Sequence, residues 1–411
     1  MKKGDIIVGL DVGTTKICAA VGEVGNSGLQ FRGVSTSASI GLRKGMIVDA
    51  EATVASIKSA VRAAEISTGV EIKAVYAGIS GAHIKGFHSY GAAGVRGKEV
   101  SAFDIERVID SAKAVYVPLD REVLHVIPAG YTLDGQNSIR NPIGMIGGRL
   151  EANVYILTGA ATSLQNLLCC CEKCGIEVID IIFEPIASSE AILTNDEKEL
   201  GVAIVDVGGG TTDIILYKDG WLRHSSVLAV GGNHFTNDIA IGLKVSVTEA
   251  ERVKKDFGTA VSGTTGDAEE IEIVREGRER KILRRQMTEI LQPRTEELMD
   301  LIKRELLVCR GYDIASTGVV LTGGGSLLKG FDIAAEGVLG LPVRIGFPRQ
   351  IKGCREIAEN PMYATGAGLV FYGYNADADR EFCTDTGAGV LGKMKDWVKG
   401  IFNITRRERY V

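Results

Sequence analysis

Two acidic, glycine- and threonine-rich turns constrain this chain more than any other feature: Asp11-Val12-Gly13-Thr14-Thr15-Lys16 and Asp206-Val207-Gly208-Gly209-Gly210-Thr211-Thr212-Asp213. Each lies between two apolar, β-branched runs, Ile6 to Leu10 and Ile17 to Val21 around the first, Val202 to Val205 and Ile214 to Tyr217 around the second. Strand, acid, Gly/Thr tip and strand make a hairpin. Glycine lets the tip close and lets main chain approach a ligand with no Cβ in the way. Consecutive N–H groups in such a tip form a concavity for an anion. The carboxylate at the strand end can hold Mg²⁺ through water while phosphate oxygens complete its shell. One such turn alone is as well explained by an ordinary tight turn. Two with the same acid, the same Thr-Thr pair and the same flanks point to two similar half-domains closing on one phosphate chain.

At 411 residues the chain has room for two or more domains with full cores. A formal net charge of −5 argues against general nucleic-acid binding, which needs a basic surface. Lys2 and Lys3 precede a short apolar run, but Asp5 and Asp11 interrupt it, so a buried strand is expected there and not a signal peptide. With no run near the ~18 apolar residues of a spanning helix, a cytosolic body is expected. Cys169, Cys170, Cys171 and Cys174 have no second Cys or His pair to complete a tetrahedral site. They are expected as small residues on and beside a packed helical face.

Along the chain, residues 1–82 contain the first hairpin, further strands and a helix from Ala52 to Thr68 that stops near Gly69. Residues 83–163 change texture and are expected as an α+β insert. Ser101 caps a helix to about Val115 with Phe103, Val108, Ile109 and Ala112 on its apolar face, and strands cover Val123 to Leu133 and Leu150 to Leu157. Residues 164–199 hold the Cys-bearing helix, a strand from Ile176 to Phe183 and a helix opened by Glu184-Pro185. The second hairpin falls in 200–245, a charged and mostly helical block in 246–317, and a strand with a Gly323-Gly324-Gly325-Ser326 turn in 318–364. Residues 365–373 are expected to return to the first half. Residues 374–389, acidic with small residues between, read as a flexible linker. In the final segment, 390–411, a helical period gathers Val390, Leu391, Met394, Trp397, Val398 and Ile401 on one face, with Phe402 beside them. Its six basic side chains against two acidic ones suit anionic lipid.

This order of motifs resembles the actin/DnaK/sugar-kinase ATPase superfamily over about the first 370 residues, and within it the FtsA family of bacterial cell-division proteins. Three stretches carry the closer resemblance: Ile79-Ser80-Gly81-Ala82-His83-Ile84; Ile127 to Gln136 with Asn141 to Met145 and Arg149 to Glu151; and the linker with its amphipathic C-terminal helix. The resemblance implies an α/β actin-like fold of two duplicated RNase H-like halves, with an FtsA-type α+β insert. It implies ATP and Mg²⁺ as ligands, with Asp11 and Asp206 around the metal. Gly13, Thr14, Thr15, Lys16 and Gly208, Gly209, Gly210, Thr211, Thr212 would hold phosphates, and Gly323, Gly324, Gly325 and Ser326 would lie against the nucleoside. Glu251 and Lys254, one helical turn apart, resemble ribose- and base-side residues, with an ordinary exposed ion pair as the alternative reading. Glu184 resembles the residue that positions water in bacterial actins, with ATP turnover slow at most.

By the same resemblance the partners would be the FtsZ C-terminal tail, further copies of this chain in filaments, later division proteins and anionic membrane lipids, with no nucleic acid. The place of action would be the cytoplasmic side of the cell membrane, peripherally, at the division septum. The arginines of 246–317, Arg284 and Arg285 among them, would face the FtsZ tail. Two other readings share the superfamily: a PilM-like component of type IV pilus assembly, which would lack the terminal helix, and a metabolic kinase, for which no substrate signature stands out.

Overall fold

The computed structural model describes residues 4–26, 28–263 and 269–386. The first apolar runs form β1 (Ile6–Val12) and β2 (Lys16–Gly25), an antiparallel pair extended by β3 (Gly28–Ala38). A small ribbon, β4 (Leu42–Arg43) and β5 (Met46–Ile47), leads into α1 (Ala50–Thr68). Asp49 caps α1 by accepting the Ala52 N–H, and Gly69 ends it in the left-handed region. β6 (Ala74–Ile79) then joins β1 in parallel.

The chain next builds the insert from β7 (Lys85–Gly94), α2 (Ala102–Lys113), β8 (Arg121–Leu133), β9 (Gln136–Ile139) and β10 (Arg149–Ala160). Its antiparallel sheet has the order β7-β10-β8-β9, with its own core of Val108, Ile109, Leu150, Val154 and Ile156. Ser101 and Asp104 form a reciprocal capping box on α2. Phe103 departs from the expected apolar face. It is half exposed, with the Arg96 and Arg107 guanidinium groups 4.9 and 6.0 Å from its ring centre, because Ile105, Val108 and Ile109 already fill the side facing the sheet.

α3 (Ala161–Lys173) carries the cysteines. The Sγ atoms of Cys170 and Cys174 approach the Ala50 and Val54 carbonyls, and burial pushes the Cys171 thiol up to about 12. These thiols pack against α1 and are poorly ionised. β11 (Glu177–Phe183) runs parallel to β6 and completes the sheet β11-β6-β1-β2-β3, and α4 (Glu184–Ile192) and α5 (Asn195–Leu200) follow.

The second half repeats this plan. β12 (Val202–Val207), β13 (Thr212–Lys218) and β14 (Trp221–Leu228) form the antiparallel trio, and α6 (Gly232–Leu243) and α7 (Val247–Phe257) follow. Then come β15 (Glu270–Arg275), β16 (Arg278–Leu283), α8 (Arg284–Val308) and α9 (Gly311–Ile314). β17 (Val319–Thr322), α10 (Phe331–Leu339) and β18 (Val343–Ile345) close the sheet in the order β14-β13-β12-β17-β18. Both sheets thus join an antiparallel hairpin-plus-strand to two parallel strands. α11 (Arg355–Ala358) and α12 (Ala364–Thr386) bring the chain back to the first half, where Ala367, Leu369 and Val370 enter the core of β1 and β2.

The block 246–317 holds the expected helices and, in addition, two strands: β15 and β16 form a hairpin on which Ile271 and Ile273 are buried while Glu270, Glu272 and Val274 are exposed. Its two-residue tip, Glu276 and Gly277, has φ of 52° and 72°, the turn that matches strand twist. The expected linker from Tyr374 is displaced, because α12 continues as helix to Thr386. No described helix is long and apolar enough to cross a membrane. The face formed by Val390, Leu391, Met394, Trp397, Val398, Ile401 and Phe402 lies outside the described residues.

Candidate functional site

Both hairpins close by one tight backbone bond, Gly13 N–H to Lys16 O at 3.1 Å and Gly208 N–H to Thr211 O at 2.9 Å. The last paired residues beneath the tips are Val12↔Ile17 and Val207↔Thr212, so Asp11 and Asp206 stand at equivalent places. The two tips meet across the cleft between the halves. A Cβ on Gly209 would stand 2.3 Å from Thr15 Cγ2, and one on Gly210 would stand 2.6 Å from Thr14 Oγ1. Only glycine allows that approach.

Neighbouring loops brace each tip. Gly45 N–H donates to Thr14 Oγ1 at 3.0 Å and Ser39 N–H to Thr15 O at 3.1 Å. On the other side, Gly232 and Asn233 N–H groups donate to the carbonyls of Gly208 and Gly209, and Thr212 Oγ1 donates to Val230 O. The Gly323 turn closes the floor: its φ is +81°, and a Cβ there would lie 2.3 Å from Asp206 Oδ1. Gly324, Gly325 and Ser326 continue it as a 3-10 turn, with Gly325 against Val207 and Ser326 Oγ donating to Gly323 O.

Four carboxylates gather under the tips. Asp11 accepts from Lys16 Nζ at 2.8 Å; Asp206 accepts from Ser188 Oγ at 2.7 Å and Thr365 Oγ1 at 3.4 Å; Asp213 accepts from Ser80 Oγ at 2.6 Å. Burial pushes Asp213 up to about 8, against the Ser80 bond and with help from Asp206. Burial also raises Asp206, while Ser188 holds it down. Glu184, the first residue of α4, is raised well above the usual range by burial and then by Asp11, Asp213 and Asp206. Lys16 is the cation that opposes this cluster: burial alone would lower its pKa, but Asp11 raises it.

That gathering of buried carboxylates, whose ionised forms disfavour one another, fits a divalent cation. Among the described residues no three His, Cys, Asp or Glu side chains form a ready cage. A Mg²⁺ here would therefore take waters and phosphate oxygens beside Asp11 and Asp206, the arrangement that ion prefers.

Glu251 and Lys254 form the ion pair, 2.6 Å apart on α7. They are nonetheless turned toward the site. Lys254 Nζ donates to Gly232 O and Thr236 Oγ1, and Thr236 Oγ1 also donates to Glu251. Gly232 itself sits on Gly208, so the pair reaches the second tip through one intervening turn.

Read from sequence, Ser80, Ser188, Thr365 and Asp213 have no role in the site, although Asp213 closes the second turn. Ser188 follows Glu184 by one helical turn, a spacing that marks a shared helix face. Ser80 and Thr365 come from distant segments, and no local pattern announces them.

A family model described as cell division protein FtsA matches residues 203–368, and one described as the SHS2 domain inserted in FTSA matches residues 81–158. The chain is 41% identical over 414 residues to the cell division protein FtsA of Pseudomonas aeruginosa, covering 98% of this chain and 99% of that one. It is 36% identical to the FtsA of Escherichia coli strain K12, covering 98% of each, and 37% identical to that of Bacillus subtilis strain 168, covering 90% and 84%. Among solved structures, a PilM-PilN type IV pilus biogenesis complex aligns with TM-score 0.66 at 16% identity, covering 90% of this chain and 98% of that one. MreB5 of Spiroplasma citri bound to ADP aligns with TM-score 0.56 at 18% identity, covering 92% and 98%. These two likenesses show the actin-like fold. The identities over nearly the full length show the family: the chain belongs to the FtsA family of cell division proteins.

Proposed function

We propose that this chain binds Mg-ATP between its two hairpins and serves as a nucleotide-dependent adaptor that links FtsZ polymers to the membrane. The observation that carries the nucleotide reading is the meeting of Thr14 and Thr15 with Gly209 and Gly210 above the buried Asp11 and Asp206. Backbone N–H groups of both tips, the threonine hydroxyls and Lys16 would bind the phosphates, and the Gly323–Ser326 turn with Glu251 and Lys254 would border the nucleoside. Bound Mg²⁺ would neutralise phosphate charge beside Asp11 and Asp206. Glu184 would orient a water at the terminal phosphate, with turnover slow because the nucleotide sets assembly state. The MreB5 structure bound to ADP shares the fold that supports this reading.

The adaptor reading joins three parts. The amphipathic face from Val390 to Phe402 would lie in anionic lipid on the cytoplasmic side of the septum. Residues 246–317 would receive the FtsZ tail, and the insert would meet later division proteins. Copies would associate head to tail into filaments, whose many weak lipid helices bind with avidity. Co-sedimentation with anionic liposomes and FtsZ, with and without ATP, tests the whole. Wild-type chain is expected to carry FtsZ to lipid, and Trp397→Glu to stay in solution while still binding ATP. Flotation of Trp397→Glu at wild-type level would sink the membrane assignment.

A further inference from the structure

The insert reaches the strand that leads into Glu184 through a hydrogen bond to His125 of β8. β11 is the edge strand of its sheet, so the N–H of Phe183 that faces away from β6 has no strand to bond. Phe183 is fully buried, which removes water as a partner, and it is also the residue from which α4 starts, with no side-chain cap. His125 Nε2 accepts that N–H at 3.1 Å. An N–H donor requires an unprotonated acceptor nitrogen, so His125 is neutral with its proton on Nδ1. The next residue after Phe183 is Glu184, set among Asp11, Asp206 and Asp213.

The same insert is also pinned to the second half. Tyr155 of β10 accepts the Ser225 N–H at 2.8 Å, and Arg223 donates to Ala129 O at 3.1 Å. Both Arg223 and Ser225 lie on β14, which leads to the turn seated on Gly208. The insert therefore contacts the junction that delivers Glu184 on one side and the strand that supports the second tip on the other.

We propose that His125 is a positioning residue that sets where Glu184 enters the cleft, and through which the insert tunes ATP turnover. The proposal rests on the reading of Glu184 as the water-orienting group. Without the His125 acceptor, the buried Phe183 N–H must turn to find another partner, and the start of α4 turns with it. Binding of phosphates by the two tips does not pass through this junction, so affinity should be spared.

The test uses the full chain with Mg-ATP, measuring affinity by equilibrium binding and turnover by phosphate release. His125→Leu is expected to lower turnover on the order of 10- to 100-fold, the scale for a slightly misplaced catalytic group, with affinity little changed. His125→Gln, whose amide oxygen can accept the same N–H, is expected to restore most of that loss. Adding His125→Leu to Glu184→Gln is expected to cost nothing further, since both act through one group. Wild-type turnover in His125→Leu, absence of rescue by glutamine, or full additivity with Glu184→Gln would each overturn the positioning role. If the leucine variant does not fold, His125→Asn, whose amide stops short of Phe183, is measured in its place with the same expectations. Undiminished turnover in Glu184→Gln, or none in the wild type, overturns instead the Glu184 reading on which this one stands.

Discussion

The two hairpins share backbone plan but not charge. At the first tip Asp11 is answered by Lys16, an ion pair within one turn. At the second, the residue after the Thr-Thr pair is Asp213, and hydroxyls answer both acids, Ser188 and Thr365 on Asp206 and Ser80 with the tip's own Thr211 on Asp213. Ser188, Thr365 and Ser80 come from α4, α12 and the residue after β6, that is, from the first half of the molecule. The first hairpin carries its own counter-charge; the second takes most of its hydrogen bonds from the other half. A duplicated motif has thus become one jaw with an internal ion pair and one acidic jaw, and the acidic jaw draws on contacts across the cleft.

Replacing each acid separates these roles. Asp206→Ala removes a carboxylate held by hydroxyls, so the fold should survive while Mg-ATP affinity falls roughly 10- to 100-fold, measured by calorimetry with circular dichroism as control. Asp11→Ala leaves Lys16 buried without its partner, so it should also lower the melting temperature. Equal stability of the two variants would break the comparison. Gly209→Ala is expected to have the next largest effect. Its methyl would collide with Thr15 and hold the tips apart, weakening ATP binding by about tenfold with the secondary structure intact.

The pH dependence of the nucleotide-free chain reads the acidic jaw directly. Asp213 is raised from 3.8 to about 8 in the folded state, so the folded form holds a proton there that the unfolded form has lost. That contribution is present in full below about pH 4 and is lost as pH rises through about 8. Asp213→Asn keeps an oxygen for Ser80 and carries no charge, so it should raise the melting temperature more at pH 9 than at pH 5. A shift of equal size at both values would remove burial of this acid as the cause. The smallest effect is expected far from both tips. Arg284 is committed within its own half, to Glu269, the Phe257 carbonyl and Thr259, whereas Arg285 is exposed beside Glu289. Arg285→Glu should weaken FtsZ-tail binding by a few-fold and lessen its salt sensitivity without loss of stability; Arg284→Glu should lower stability itself. Wild-type tail affinity in Arg285→Glu would move the contact elsewhere.

Much of this architecture is legible in the sequence because it is local. The hairpins announce themselves through β-branched runs around Gly/Thr tips, and the caps at Ser101 and Gly69 through residue type and position. The β15–β16 hairpin was equally local, with Ile271 and Ile273 alternating before Glu276-Gly277, but the density of charge in that block hides the period of two. The helical run to Thr386 was missed for a related reason: acidic and small residues there have the composition of a linker, yet α12 enters the core at Leu369 and Val370 and carries its helix onward.

The sequence by itself determined the duplicated plan, the placement of Asp11 and Asp206 at strand ends, and the family resemblance, since strand, turn and cap are decided within a few residues. Only the tertiary structure decided which groups answer the buried acids. Ser80 lies 133 positions from Asp213 and Thr365 lies 159 from Asp206, and no spacing rule spans such distances. Likewise only folding brought His125 of the insert against the amide beside Glu184. A buried polar group must find its partner wherever the packed chain supplies one, and that choice is made in three dimensions.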